Sequence, residues 1–409
     1  MDVVRTLSLI PLLLVATLPH ALAQMTNEDV VSMHGHALTI DSHIDIPVSL
    51  GTDADDPGRD GPMQADFPKM RSGGLDAGFF IVYVGQGELT ASGYEQAYQR
   101  ALEKFAAIER TLQRHPGQVE LATTPQQLRD IVHRGRLALA IGVENAYPLG
   151  PELEHLEEFY RRGARYVSLT HVGHNQLADS SMLRSASGWE AVPDAGGLSA
   201  TGRRLVSELN RLGIMVDVSH ASKEATLEAA ALSQAPVIAS HSGVRALYDH
   251  PRNLTDEEIL AIAEGDGVIQ LVAFDSYMRE ISEDNATAMG AIREELGLQG
   301  ADWFLRASQE QHAQLRLRIN ALDERWPRAT VSTLVDHIDY VVQLAGIEHA
   351  GIASDFGGGG GVKGWDQAAQ TAAVTAELLR REYTPEQIQQ IWSGNLLRVW
   401  SRVEARAQQ

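Results

Sequence analysis

His43 and Asp45 stand two residues apart at the end of an apolar run, Ala37–Asp45, that reads as a β-strand. A repeat of two puts both side chains on one face, an imidazole beside a carboxylate. The same kind of ending recurs along the chain. Leu137–Glu144 closes on Glu144, Ala164–His171 on His171, Gly213–His220 on His220, Pro236–His241 on His241 and Ala350–Asp355 on Asp355. Singly, each histidine is most simply a packed core residue. Jointly, they form a set of cation ligands, because neutral imidazoles and ionised carboxylates are the donors zinc takes where thiolates are missing. The chain contains no Cys, which also excludes disulfides, Cys nucleophiles and iron–sulfur ligation. His43 with Asp45 would hold one cation and His220 with His241 a second. Glu144, with two oxygens, is placed to bridge them. Zinc suits this donor set, with manganese or cobalt as replacements.

Two cations sharing a water acidify it and polarise a carbonyl, so the chemistry expected here is hydrolysis. Asp355 is the candidate proton shuttle, from the water to the leaving amine. Its plainer reading is a further ligand or a helix cap. His171 is the candidate donor to the oxyanion, against plain packing at a rim. His34, His36, His115, His133, His155, His250, His312 and His349 lie in helical or turn contexts and read as surface or packing residues. His174, in the loop beside His171, could line the pocket, but packing is its plainer reading.

Something must bring these distant side chains together. Ala77–Val84 and Gly267–Ala273 complete a set of eight short, Val- and Ile-rich runs. Near-continuous apolar runs suit parallel strands covered on both faces. Helical patterns lie between several of them, as at Ser92–Arg114, Ala200–Leu212, Lys223–Leu232 and Val331–Ala345. The alternation predicts one (β/α)8 TIM barrel, whose strand ends converge on a single mouth. A doubly wound open sheet is the rival. Such barrels average about 250 residues, so a chain of 409 carries insertions. The largest is Met278–Arg328, charged and helix-prone, between strands seven and eight. A polar loop, Gly173–Gly197, follows strand four.

The 34 Lys and Arg against 54 Asp and Glu leave a net charge of -20. That surface repels phosphate backbones and argues against a nucleic-acid role. Residues 1–23 read as an export signal. Arg5 precedes an apolar stretch from Leu7 to Leu18, and Ala21-Leu22-Ala23 is a small-x-small site before Gln24. The stretch falls short of the about 20 apolar residues that a membrane span needs. Residues 24–409 are then one exported domain, periplasmic or secreted, with no membrane anchor.

The motifs also occur in a telling order. D-S-H-I-D stands at 41–45, and Asp66-Phe67-Pro68-Lys69-Met70 precedes Gly73-Gly74. I-G-V-E follows at 141–144, L-T-H at 169–171, Gly197-Leu198-Ser199, V-D-V-S-H at 216–220 and A-P-V-I-A-S-H-S at 235–242. R-N-L at 252–254, Ser354-Asp355-Phe356 and G-N-L-L-R-V at 394–399 close the series. Together they resemble the membrane dipeptidase (renal dipeptidase) family, within the amidohydrolase-type barrels. The resemblance covers most of residues 24–409 and is closest to exported bacterial members.

It implies two Zn2+ per subunit, held by His43, Asp45, Glu144, His220 and His241, with Glu144 bridging. It implies Asp355 as the catalytic acid–base and His171 as the contact to the substrate carbonyl. Arg252 would grip the free carboxylate of a dipeptide, and Tyr277 would line the pocket. From sequence alone, Arg252 equally suits a surface turn and Tyr277 a packing role. The implied activity is hydrolysis of the single peptide bond of dipeptides, L,D-dipeptides included. The oligomeric state is open, a homodimer being admitted. The alternatives are a related binuclear amidohydrolase acting on an acylated amino acid, cyclic amide or lactone, and a non-catalytic exported peptide-binding protein. One departure concerns the site. Where the family often reads D-F-D-G, this chain has Asp355-Phe356-Gly357-Gly358, so a carboxylate is missing at 357.

Overall fold

The computed structural model describes residues 27–182, 196–300 and 303–407. The export signal read at 1–23 lies outside them, as does most of the second half of the loop after strand four. Among the described residues there are ten strands: β1 (Ile40–Asp45), β2 (Ala77–Tyr83), β3 (Val119–Leu121), β4 (Leu137–Glu144), β5 (Ala164–Ser168), β6 (Met215–Asp217), β7 (Ile238–Val244), β8 (Asn253–Leu254), β9 (Val268–Val272) and β10 (Ala350–Ala353). Eight of them run in the order β1-β2-β4-β5-β6-β7-β9-β10, all parallel. The two extra strands pair outside this path, β3 on β4 and β8 on β7. They are two or three residues long, too short for a recognisable pattern.

The barrel closes where the first strand meets the last. Asp355 N donates to His43 O at 3.1 Å and Asp45 N to Phe356 O at 2.7 Å, with a parallel bridge between Ile44 and Phe356. This is the expected (β/α)8 barrel. The helices expected at Ala200–Leu212, Lys223–Leu232 and Val331–Ala345 have those bounds. Ser199, Ser222 and Thr330 cap their N-termini, each accepting from a backbone N–H three residues on.

The strand ends differ from the sequence reading. His171, His220 and Asp355 lie just past their strands, whereas His241 sits inside β7. The reason is conformational for two of them. His220 has φ +69° and Asp355 φ +56°, which no strand accommodates. The ladders also slip beside two histidines, between Asp41 and Ile44 on β1 and between Ala239 and Ser242 on β7. Such irregularities re-aim side chains and cluster at active sites.

Under the mouth, the barrel interior is polar rather than packed with Val and Ile. Buried Asp217 accepts from Ser168 Oγ at 2.8 Å, Ser240 Oγ at 2.6 Å and two backbone N–H groups. Ser42 Oγ donates to Ser240 O at 2.7 Å. The apolar layer lies outside, between strands and helices, where Phe79 packs on Trp400 and Phe356 on Trp365.

The 278–328 insertion is helical, as expected, with helices Glu283–Glu295, Trp303–Arg306 and Gln309–Asn320. It has its own small core of Ile292, Leu298 and Leu315. Arg328 fastens its end, reaching Asp323 at 2.8 Å and Asp366 at 2.7 Å. Among the described residues, no helix is long and apolar enough to cross a membrane.

One structural histidine bears on stability. His337, on the helix Val331–Ala345, accepts from Val244 N at 3.0 Å and so ties the end of β7 to the helical layer. Burial pushes its pKa from 6.5 down to about 4. A depressed pKa means the unfolded chain takes the proton first. This support is complete above about pH 6.5 and is lost as pH falls towards 4, a swing of about 3 kcal/mol. His337→Asn, which keeps an acceptor, is expected to flatten the pH dependence of urea unfolding between those limits. An unchanged slope would contradict the assignment.

Candidate metal centre

Glu144 ends β4 and stands at the centre of the mouth. The next residue, Asn145, has φ +73° and is locked by Asn175 and the Val84 carbonyl, which fixes where the carboxylate points. Its two oxygens face different partners. Oε2 lies 3.7 Å from His43 Nε2. Oε1 lies 3.1 Å from His220 Nε2, 3.3 Å from His241 Nε2 and 4.0 Å from His171 Nε2. His43 Nε2 also lies 3.3 Å from Asp45 Oδ2, so the two-residue spacing does put both on one face.

All seven residues expected around the cations and the reacting bond are therefore together. They form three overlapping groups: His43–Glu144–His241, Glu144–His171–His220 and His43–Asp45–Asp355. The geometry thus draws His241 towards His43 as well as towards His220, whose Nε2 lies 2.9 Å from that of His241. His171 joins the Glu144 group and Asp355 the His43 group.

The donor set fits divalent cations. His43 Nε2 is buried, lacks a hydrogen-bond partner and faces two carboxylates. The other ring nitrogen is spoken for. His43 Nδ1 meets Tyr166 Oη at 3.0 Å, and that hydroxyl donates onward to Ser42 O at 3.1 Å. His241 Nδ1 meets Ser240 Oγ at 2.9 Å, and Ser240 donates to Asp217. Both chains place the ring proton on Nδ1 and leave the Nε2 lone pair for a metal.

The electrostatics agree. Burial pushes the pKa of His220 and of His241 well below 6.5, so both rings are neutral, as ligands must be. Burial opposes charge on His43, yet Glu144 and Asp45 hold its pKa well above 6.5. A proton there answers the negative charge that a cation would answer. Burial opposes ionisation of Glu144, but His43 and the other histidines hold it well below the usual range.

Asp355 differs from Glu144. Burial pushes its carboxyl well above the usual value, and the Asp45 and Glu144 charges add to that. Two glycines after it make room. A Cβ on Gly358 would lie 1.9 Å from Asp355 Oδ1 and 2.4 Å from Asp45 Oδ2. Gly357 has φ +81°, and a Cβ there would lie 2.4 Å from Asp45 O. This backbone therefore cannot carry the carboxylate that the family pattern leads one to expect at 357.

Arg252 is buried, not a surface turn residue. Its Nη2 donates to His241 O at 3.0 Å, while its Nε has no partner. Its guanidinium lies 5.3 Å from the Tyr277 ring, and Tyr277 itself lines the metal pocket. His174 bonds Ser180 N and does not line that pocket, in keeping with a packing role.

The sequence reading missed Tyr83, Gln86, Val172, Phe274 and Phe304, which also line the pocket. Tyr83 ends β2, so its position at a strand end was a usable signal. Phe304 comes from the insertion and had none.

The chain matches the family model described as membrane dipeptidase (peptidase family M19) over residues 27–409. It is similar to the probable dipeptidase PvdM of Pseudomonas aeruginosa, 34% identical with a TM-score of 0.80, covering 93% of this chain and 98% of that one. It is 28% identical to dipeptidase aclJ of Aspergillus oryzae, over 83% of this chain and 70% of the relative. A metallo peptidase of Rhodobacter sphaeroides, liganded with a phosphinate mimic of L-Ala-D-Ala, shares the fold at 22% identity and a TM-score of 0.71, over 90% of this chain and 99% of that one. On this match, spanning nearly the whole length, the chain belongs to the membrane dipeptidase family.

Proposed function

We propose that the protein is a two-zinc dipeptidase that hydrolyses the one peptide bond of a dipeptide. The observation that carries this is the division of the Glu144 carboxylate, Oε2 to His43 and Oε1 to the His220–His241 pair, with Asp355 alongside. His43, Asp45 and Glu144 would hold one cation, and Glu144, His220 and His241 the other. Cations bound there would supply Lewis acidity, polarising the scissile carbonyl and acidifying the attacking water.

The protein groups do the rest. Asp355 accepts the proton at its carboxylate oxygen and returns it to the amine nitrogen as the C–N bond breaks. Its raised pKa suits a group that must hold a proton between those steps. His171 is kept neutral, chiefly by burial. Tyr83 Oη lies 3.4 Å from His171 Nδ1 and can donate to it, which leaves an Nε2–H to donate to the developing oxyanion. Arg252 supplies the positive charge for the substrate carboxylate, from the Tyr277 side of the pocket. The pattern at residues 1–23 supports export to the periplasm or medium.

The test is hydrolysis of a dipeptide panel, L,D pairs included, on protein whose metal content is measured. Two zinc ions per chain and chelator-sensitive cleavage are expected. Full cleavage of dipeptides by metal-stripped protein would refute the reading. Arg252→Met separates a dipeptidase from a hydrolase of neutral amides or lactones. It should raise KM about 10–100-fold, the worth of a hydrogen bond to a charged group, with a smaller effect on kcat. An unchanged KM would point to a substrate without a free carboxylate.

A further inference from the structure

A charge buried away from water is costly unless a counter-charge meets it. Among the described residues, Lys69, Lys104 and Arg252 are the buried Lys and Arg residues. Lys69 is answered directly by Asp60 and Asp66. Among the described residues, no carboxylate stands at ion-pair distance from Lys104 or Arg252. Each donates instead to a main-chain carbonyl, Lys104 to Ile46 O and Arg252 to His241 O. Ile46 follows Asp45, and Asp45 and His241 are both expected ligands. The two buried cations without a contact partner therefore lie against the metal centre. Arg252 has a task there, the substrate carboxylate. The dipeptidase reading gives Lys104 none.

Holding the backbone does not account for Lys104. It stands on the helix Ala91–Arg114, and that helix grips the turn after β1 at further points. Arg110 donates to Leu50 O at 3.0 Å through Nε and to Val48 O at 2.7 Å through Nη2. Arg114 Nη1 donates to Gly51 O at 3.3 Å. Arg110 is half-buried and Arg114 exposed, so both stay in touch with water. A neutral donor could satisfy Ile46 O as well. What a lysine adds at 104 is a positive charge where screening is weak.

That charge faces the metal centre. Burial pushes the Lys104 pKa from 10.5 down to about 8; the Asp45 and Glu144 carboxylates pull it back up, and Arg100 opposes them. The ammonium form therefore prevails at pH 7. Lys104 and Asp45 also line one cavity at the mouth. Its field thus falls on Asp45 and Glu144, two of the three groups expected to hold the cation on the His43 side. A fixed positive charge beside a cation site acts in two ways. It repels the cation and lowers its affinity. It also offsets the negative charge of the ligands, so that a cation held there polarises a carbonyl more strongly.

We propose that Lys104 is a positioning residue of the metal centre: acting through Asp45, its buried charge weakens cation binding on the His43–Asp45 side and sharpens the reactivity of the cation held there. The inference rests on the two-zinc dipeptidase reading and deepens it. It also explains why a buried lysine, rather than another arginine at the surface, meets the first carbonyl of the turn.

The experiment measures zinc affinity by competition with a chromophoric chelator, and kcat for Ala-Ala at saturating zinc, on the full chain. Lys104→Gln removes the charge and keeps a donor for Ile46 O. It should hold zinc about tenfold more tightly at one of its two sites, the effect of one nearby charge at weak screening. Its kcat should fall about three- to tenfold. Lys104→Met, of different shape and without a donor, should show the same pair of changes, so the test does not hang on one variant folding. Lys104→Arg, which keeps the charge, should hold zinc as the parent does. A purely mechanical role predicts the reverse, because a loosened Asp45 binds zinc less tightly. Zinc affinity unaltered or lowered in the folded neutral variants, an unaltered kcat, or an equal gain of affinity in Lys104→Arg would each overturn the proposal and leave the dipeptidase reading standing. A parent protein that binds no zinc would remove the metal centre and the proposal with it.

Discussion

Asp355→Asn will keep its full complement of metal and lose about 10²–10⁴-fold in kcat, the contribution usual for a positioned acid–base group. Metal retention follows from the geometry. The five expected ligands are His43, Asp45, Glu144, His220 and His241, and Glu144 already reaches both histidine sets without Asp355. The loss of turnover follows from the chemistry. An amide keeps the shape of the carboxylate but cannot take a proton from water and return it to an amine. The fold should survive, because the backbone N–H of residue 355 still donates to His43 O. Steady-state rates beside metal analysis check this. Parental kcat in a metal-replete variant would strip Asp355 of the role, and a fall in metal content would make it a ligand instead.

Glu144→Gln should be more damaging still, losing metal and activity together. This carboxylate is the one group shared by both sides of the centre. Its replacement removes a negative charge from between neutral His220 and His241 on one side and His43 on the other. Cation affinity built from imidazoles and carboxylates falls steeply when one of few anions is lost. We expect about one cation fewer per chain and a kcat/KM lower by at least about 10³-fold. The fold should again persist, since a Gln amide can donate to a neutral imidazole nitrogen in the same place. Elemental analysis alongside a melting curve separates the outcomes. Unaltered metal content with parental activity would show that Glu144 does not bridge.

Much of this centre was legible because barrels impose a rule on where chemistry sits. Parallel strands buried on both faces leave a strong apolar signature, and a His, Asp or Glu that interrupts it at the C-terminal end is conspicuous. That is how Glu144 stood out from Leu137–Glu144. The exact strand ends were harder. His220 and Asp355 adopt left-handed backbone, a local strain that periodicity cannot register and that the surrounding hydrogen bonds sustain. The supporting residues were hidden for another reason. Tyr166 looks like an ordinary apolar strand residue until its hydroxyl is seen at His43 Nδ1. Ser240 and Asp217 stood in quoted motifs, but their joint action on His241 depends on a contact between neighbouring strands. Phe304 is carried by an irregular insertion, so only the folded chain brings it to the rim.

The seam between β1 and β10 has a consequence for how the enzyme comes into being. His43 and Asp355 are joined backbone to backbone across it, yet more than three hundred residues of chain lie between them. Competence is therefore all-or-none along the polypeptide. On the proposed roles, a nascent or clipped chain that ends before β10 would hold most of the expected ligands but not Asp355, the proposed proton carrier, and is expected to stay inert towards peptides until β10 docks on β1.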